Sequence, residues 1–131
     1  MEPVSTGTDR SGQLDRRALG EAHERLARCY LERQGLRFIA ANVACRGGEV
    51  DLVMRDAQGW IFVEVRFRRS ARYGDAAASV TRRKQRRVIN AATHWLLSQQ
   101  RDLHAEACRF DVVAITGDQI SWFPDAFNAG V

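Results

Sequence analysis

The stretch "GGEVDLVMRDAQGWIFVEVRFRRS", residues 47–70, sets two apolar runs around a short turn and threads acids through both. "EVDLVMR" (49–55) and "WIFVEVRFR" (60–68) have the β-branched density and alternation of strands. "DAQG" between them, with Gly59 free to take a positive φ, makes the pair a hairpin. Successive strand side chains point to opposite faces. Glu49, Asp51 and Val53 therefore share one face, and Val50, Leu52 and Met54 the other. On the second strand Phe62, Glu64, Arg66 and Arg68 oppose Ile61, Val63, Val65 and Phe67. If the two polar faces coincide, Asp51 and Glu64 project side by side from adjacent strands.

Outward from the hairpin, "LGEAHERLARCYLERQG" predicts an amphipathic helix over about 20–34, closed by Gly35 as C-cap. Ala22, Leu26, Ala27, Tyr30 and Leu31 form its apolar arc, with Glu24 at the margin. "RFIAANVA" (37–44) reads as a strand. "SVTRRKQRRVINAATHWLLSQQ" reads as a second helix, with Ser79 or Thr81 as N-cap and Val88, Ile89, Ala92, Trp95 and Leu96 buried. "RFDVVAI" (109–115) is a β-branched strand, and "QISWF" (119–123) can pair with it across "TGD". The order predicts an α/β fold, a mixed sheet flanked by helices. The polar N-terminus reads as a disordered tail over 1–17, leaving one domain over 18–131.

Charge is distributed unevenly. Between Arg66 and Arg87 stand nine basic residues and one acid, a balance of +8 within a chain of net charge +4. Such a cluster fits a polyanion, because neutralising phosphates releases counterions. Arg68, Arg69, Arg82, Arg83, Arg86 and Arg87 are the candidate nucleic-acid contacts. A solvated helix face in an arginine-rich chain is the plain alternative, since 19 of the 20 basic residues are arginine. Cys29, Cys45 and Cys108 are odd in number and lack zinc-ligand spacing, so they read as buried or half-buried thiols. His23, His94 and His104 are scattered. No zinc and no nucleotide cofactor are expected. No stretch approaches the roughly 18 apolar residues of a membrane span, and no apolar leader precedes the first helix; the cytoplasm is the expected address.

Like-charged carboxylates crowded into a partly dry site need a cation or a proton to offset their repulsion. Mg²⁺ binds through one or two carboxylates, with water and substrate phosphate completing its shell, which suits phosphodiester hydrolysis. A half-exposed sheet face whose acids pair with neighbouring arginines needs no metal. Alternation alone leaves these two readings equal.

Asp51 followed after twelve residues by "EVR" (64–66) resembles the D…(D/E)-x-K signature of the restriction-endonuclease-like PD-(D/E)xK superfamily. The wider pattern resembles the YraN-like family of uncharacterised endonuclease-like proteins, through "GEAHERLARCYLERQG", "CRGGEVDLV", "FVEVRFRRSARYG", "TRRKQRR" and "RFDVVAI". The resemblance implies a restriction-endonuclease-like αβββαβ core and a nuclease-like domain. It implies Mg²⁺ or Mn²⁺ held by Asp51 and Glu64, Glu24 as an accessory acid and ligand, and Glu49 as a neighbour. The chain departs at two points: Arg66 replaces the motif lysine, and His23 replaces the second glycine of the family's helix start. Arginine cannot abstract a proton, but it clamps phosphate oxygens. Lys84, with Gln85, stands where the apolar stripe of the second helix meets its positive N-terminal end, a second source for the missing ammonium.

The expected function is a metal-dependent DNA endonuclease with Asp51, Glu64 and Arg66 as catalytic residues. The alternative is a non-catalytic nucleic-acid-binding module on the same fold. DNA is preferred to RNA as partner, no membrane is expected, and a homodimer is compatible with the chain without being readable from it.

Overall fold

The computed structural model of the chain describes residues 8–68 and 80–129. Its elements run α1 (Thr8–Arg33), β1 (Arg37–Cys45), β2 (Gly48–Arg55), β3 (Trp60–Arg68), α2 (Arg82–Ser98), β4 (Cys108–Thr116) and β5 (Gln119–Phe127). This is the αβββαβ core of the restriction-endonuclease-like fold with one further strand. The sheet order is β1-β2-β3-β4-β5, antiparallel except for the parallel β3–β4 pair, across which α2 makes the connection.

The sheet lies between the two helices. On one side Val53, Phe62, Trp60 and Phe110 pack against Val88, Ala91, Ala92 and Leu96 of α2. On the other, Leu52, Met54, Ile61, Val63, Val113 and Ile115 pack against Ala27 and Leu31 of α1. Alternation along β3 thus feeds both cores, as the sequence pattern implies. Val50 departs from it, packing with the α2 cluster instead of with Leu52 and Met54. The reason is local: the β2–β3 ladder stops at Leu52↔Val63, just before the strand's acidic segment.

Gly35 ends α1 at φ +100°, and Leu36 N–H donates to the Leu31 carbonyl at 3.1 Å, the long bond of a Schellman cap. Thr81 caps α2, accepting from Lys84 N–H at 3.2 Å; Ser79, the other candidate, lies outside the described residues. Gly48 lets α2 approach the sheet, since a Cβ there would sit 1.9 Å from the Arg87 carbonyl oxygen. At Gly59 the demand is again close approach, a Cβ falling 2.1 Å from the Ala107 carbonyl oxygen.

Three expectations change. α1 begins at Thr8, ahead of the expected helix start near residue 20; residues 1–7 lie outside the description. Apolar periodicity marks only the part of a helix that packs, and here it starts later than the helix does, because good helix formers such as Leu14, Arg16, Arg17 and Ala18 propagate a helix already nucleated. Leu26, placed in the buried arc, is 51% exposed, because α1 meets the sheet through Ala27 and Leu31. Cys29, expected at least half-buried, is exposed on the outer side of α1, and all three thiols are free. No helix among the described residues is long and apolar enough to cross a membrane.

Candidate active site

The acids meet where the β2–β3 ladder ends. One step beyond Leu52↔Val63, Asp51 Oδ2 accepts the Val65 backbone N–H at 2.8 Å, so a side chain occupies a place that a strand carbonyl would fill. Opposite it stands Glu64, 2% exposed. The two carboxyl groups are in hydrogen-bonding contact. Burial and then the Asp51 charge push Glu64 up to about 8, against the pull of Lys84 and Arg66. Asp51 is raised as well, by burial first, with the Val65 N–H working against the rise. Two carboxylates in this relation hold one proton between them until a cation replaces it.

Cations reach the pair from two elements. Lys84 Nζ, in the first turn of α2, lies 3.5 Å from Glu64 Oε2, and Arg66 Nη1, two residues on along β3, lies 3.8 Å from the same oxygen. The ammonium therefore enters from a helix, not from the strand position of the superfamily motif.

Glu24 approaches from α1. It is half-buried, and its carboxyl is raised by burial and then by the Asp51 charge, while a hydrogen bond from Asn42 counters the rise. Asn42, in the edge strand β1, takes φ +53°. Sequence reading missed this residue, although asparagine is the side chain that most readily adopts left-handed backbone and so carried a signal.

The remaining candidates lie further out. Glu49 is largely exposed and pairs with Arg87 Nη2 at 3.5 Å. Gln85 uses its amide to donate to the Val80 carbonyl at 3.1 Å, at the start of α2. Arg82, Arg83 and Arg86 are exposed on α2, while Arg68 is half-buried at the end of β3. Arg69 lies outside the described residues.

Among the described residues no three His, Cys, Asp or Glu side chains converge as a metal cage. Asp51 and Glu64 are the two acids brought into direct contact; Glu24 feels the Asp51 charge and is hydrogen-bonded to Asn42. Two desolvated carboxylates fit Mg²⁺ or Mn²⁺, which draw the rest of their oxygens from water and phosphate.

The family model described as "Uncharacterised protein family UPF0102" matches residues 23–115, a span that includes Glu24, Asp51, Glu64, Arg66 and Lys84. A UPF0102 protein of Serratia proteamaculans (strain 568) is 59% identical over 116 residues, covering 88% of this chain and 99% of the relative. One from Klebsiella pneumoniae is 57% identical over 128 residues, 98% and 99% of the two chains. The UPF0102 protein YraN of Salmonella typhi is 54% identical over 128 residues, 98% of each.

Proposed function

This chain belongs to the uncharacterised protein family UPF0102, the YraN family, and we propose that it hydrolyses phosphodiester bonds in DNA with the help of Mg²⁺ or Mn²⁺. The observation that carries the reading is the Asp51–Glu64 pair: a half-buried and a buried carboxylate from adjacent strands in mutual contact, with Glu64 raised to about 8 and two cationic side chains within 4 Å of it. A fold needs no such pair for its own sake, since the arrangement keeps a carboxylate from its preferred ionised state. The resemblance to restriction-endonuclease-like nucleases supports DNA as the substrate.

In this scheme Asp51 and Glu64 hold the metal, and Glu24 adds negative charge at its margin. The ion, when bound, supplies an activated water and Lewis-acid stabilisation of the phosphorus centre. Val65 N–H fixes one oxygen of Asp51, leaving the other for the ion. Lys84 and Arg66 stand beside Glu64 to engage the non-bridging oxygens of the scissile phosphate, where negative charge grows as water adds to phosphorus and the leaving oxygen departs. Arg66 binds phosphate without exchanging a proton, and Arg68 with the exposed arginines of α2 holds the flanking backbone.

The test is incubation of pure protein with single-stranded, nicked, branched and blunt duplex DNA in Mg²⁺ or Mn²⁺. Metal-dependent cleavage that falls at least about a hundredfold in Asp51→Ala is expected, the scale at which loss of one transition-state contact is felt. Cleavage surviving in that variant removes the assignment. One observation favours a second reading, a binding module without turnover: Lys84 and Arg66 already stand within 4 Å of Glu64, cations from within the chain beside the oxygen an ion would use. It predicts binding that weakens steeply with salt and no cleavage in either metal.

A further inference from the structure

Arg37, the first residue of β1, and Arg55, the last of β2, are direct partners in the antiparallel ladder, so their side chains rise side by side from one face of the sheet. Like charges in that relation repel. Among the described residues neither guanidinium has a carboxylate in salt-bridge contact. The acids at hand are engaged elsewhere. Asp56 Oδ1 accepts the backbone N–H groups of Gln58 and Gly59 at 2.8 and 3.1 Å, and its Oδ2 faces Arg109 Nη1 at 3.7 Å. Glu106 accepts from Trp60 Nε1 at 3.0 Å and from Arg101 Nη1 at 3.2 Å. Arg55 is held by an aromatic ring instead, its guanidinium carbon 4.2 Å from the centroid of Trp60. Its Nη1 is buried with no hydrogen-bond acceptor among the described residues, a cost that a structural ion pair would have removed. Gly35, Arg37, Arg55, Asp56 and Ala57 line an open pocket of about 400 Å³ at this end of the sheet.

We propose that this pocket binds a terminal phosphate dianion, clamped between Arg37 and Arg55. The site is separate from the acidic pair, for Arg55 stands four residues along β2 from Asp51, roughly 13 Å at the rise of an extended strand. It does not depend on the nuclease reading. Two guanidiniums carry two positive charges and two donor forks. A carboxylate has a single charge and two oxygens, enough to fill one fork, and leaves the second arginine unanswered. A terminal phosphate near neutral pH approaches a charge of −2 and presents three free oxygens, so it answers both forks and both charges. A phosphodiester offers one charge and two such oxygens, the same shortfall as a carboxylate. Trp60 holds the Arg55 fork in place before a ligand arrives, so little side-chain freedom is lost on binding. Inorganic phosphate and the phosphorylated end of a nucleic-acid strand both present this group.

The test is titration of the isotope-labelled full chain, in EDTA at about pH 7.5, with inorganic phosphate and with dimethyl phosphate, read by the indole N–H resonances of Trp60 and Trp122. With phosphate the Trp60 resonance should move and saturate while Trp122 stays, and dimethyl phosphate should bind at least about tenfold more weakly. Arg37→Gln and Arg55→Lys should each weaken phosphate by about 10- to 140-fold, equivalent to 1.5–3 kcal/mol per hydrogen-bonded charge at 1.4 kcal/mol per tenfold. Arg37 is exposed and opposed to a like charge, so Arg37→Gln should leave the ligand-free thermal midpoint unchanged or higher. A lower midpoint, phosphate binding as tight in both variants as in the wild type, or a still Trp60 resonance overturns the proposal. A short single strand with a 5′-phosphate, one with a 3′-phosphate and one with hydroxyl ends then separate the sources. A Trp60 shift by a phosphorylated strand at lower concentration than free phosphate assigns the site to a strand end, and a shift by free phosphate alone assigns it to the ion. An equal shift by the hydroxyl-ended strand marks a backbone contact and overturns the terminal-phosphate assignment. Each of these results leaves Asp51 and Glu64 untouched, so the nuclease reading stands or falls on its own test.

Discussion

Glu64 and Asp111 are the two charged side chains buried among the described residues, at 2% and 0% exposure, and they stand on adjacent strands in opposite circumstances. The β3–β4 register sets Val63 beside Asp111 and Glu64 beside Val112, so the two carboxylates look out from opposite faces of the sheet. Asp111 is fully engaged. Arg109 grips it through Nε at 2.9 Å and Nη2 at 3.2 Å, Trp122 Nε1 donates at 2.9 Å, and the Asp125 backbone N–H donates at 2.9 Å. Glu64 has cations at 3.5 and 3.8 Å, beyond good hydrogen-bond length, and another acid against it. A buried carboxylate with every lone pair answered fastens a fold, whereas one held short of satisfaction beside a second acid is poised to take a ligand.

The largest effect should come from breaking the satisfied member. Asp111→Ala leaves the Arg109 guanidinium, the Trp122 N–H and the Asp125 N–H without their acceptor, and a loss of about 3–5 kcal/mol in urea unfolding is expected. Added Mn²⁺ should recover none of it. A loss under about 1 kcal/mol would mean that the network is decoration on a strand pair held by packing.

Next in size is the pH response of the unsatisfied member. Glu64 binds its proton more tightly folded than unfolded, at about 8 against an ordinary 4.5. Its contribution is therefore complete below about pH 4.5 and lost as pH rises through about 8, a decline on the order of a few kcal/mol without metal. Glu64→Gln should flatten that decline, read as thermal midpoints from pH 5 to 9, and should remove cleavage. A wild-type curve already flat over this range would contradict the environment described for the pair. Divalent ion should act in the opposite sense. Mn²⁺ at a hundred times its dissociation constant stabilises by about 2.7 kcal/mol, and the gain should be larger at pH 8 than at pH 5.5, where protons compete for the same oxygens. Asp51→Ala should show none of this gain.

The same contrast explains what could be read from the chain. Asp51 and Glu64 were legible because two-residue alternation puts an acid at a fixed place in an otherwise apolar strand, and the hairpin turn fixes which strands are neighbours. Lys84 was legible because it terminates the apolar stripe of α2. Asp111 was not, for "RFDVVAI" shows only a strand with one polar residue, and its partners Trp122 and Asp125 lie 11 and 14 positions on. They reach it because the β4–β5 register shifts between Phe110 and Val112, where β5 carries Pro124 and the positive-φ Asp125. A bulge on an edge strand is decided by what it packs against, which alternation cannot express. The exposure of Leu26 and the early start of α1 escaped for a related reason: an apolar arc tells which side of a helix can be buried, not how far the sheet extends beneath it.

The smallest edits make the comparison sharpest, by removing one partner from each carboxylate. Trp122→Phe keeps the ring and deletes a single donor to Asp111, so a loss of about 1 kcal/mol is expected, with the same value at pH 6 and pH 8. Lys84→Met deletes the cation nearest Glu64. Its side chain is 38% exposed, so the change in stability at pH 6 should stay within about 0.5 kcal/mol. Its consequence lies in the titration: without that positive charge the ionised form of Glu64 is less favoured, and the pH at which stability declines should move upward. A pH-independent penalty for the tryptophan change beside a displaced midpoint for the lysine change would separate fastening from poise. Equal, pH-independent losses would reduce both sites to structural ion pairs.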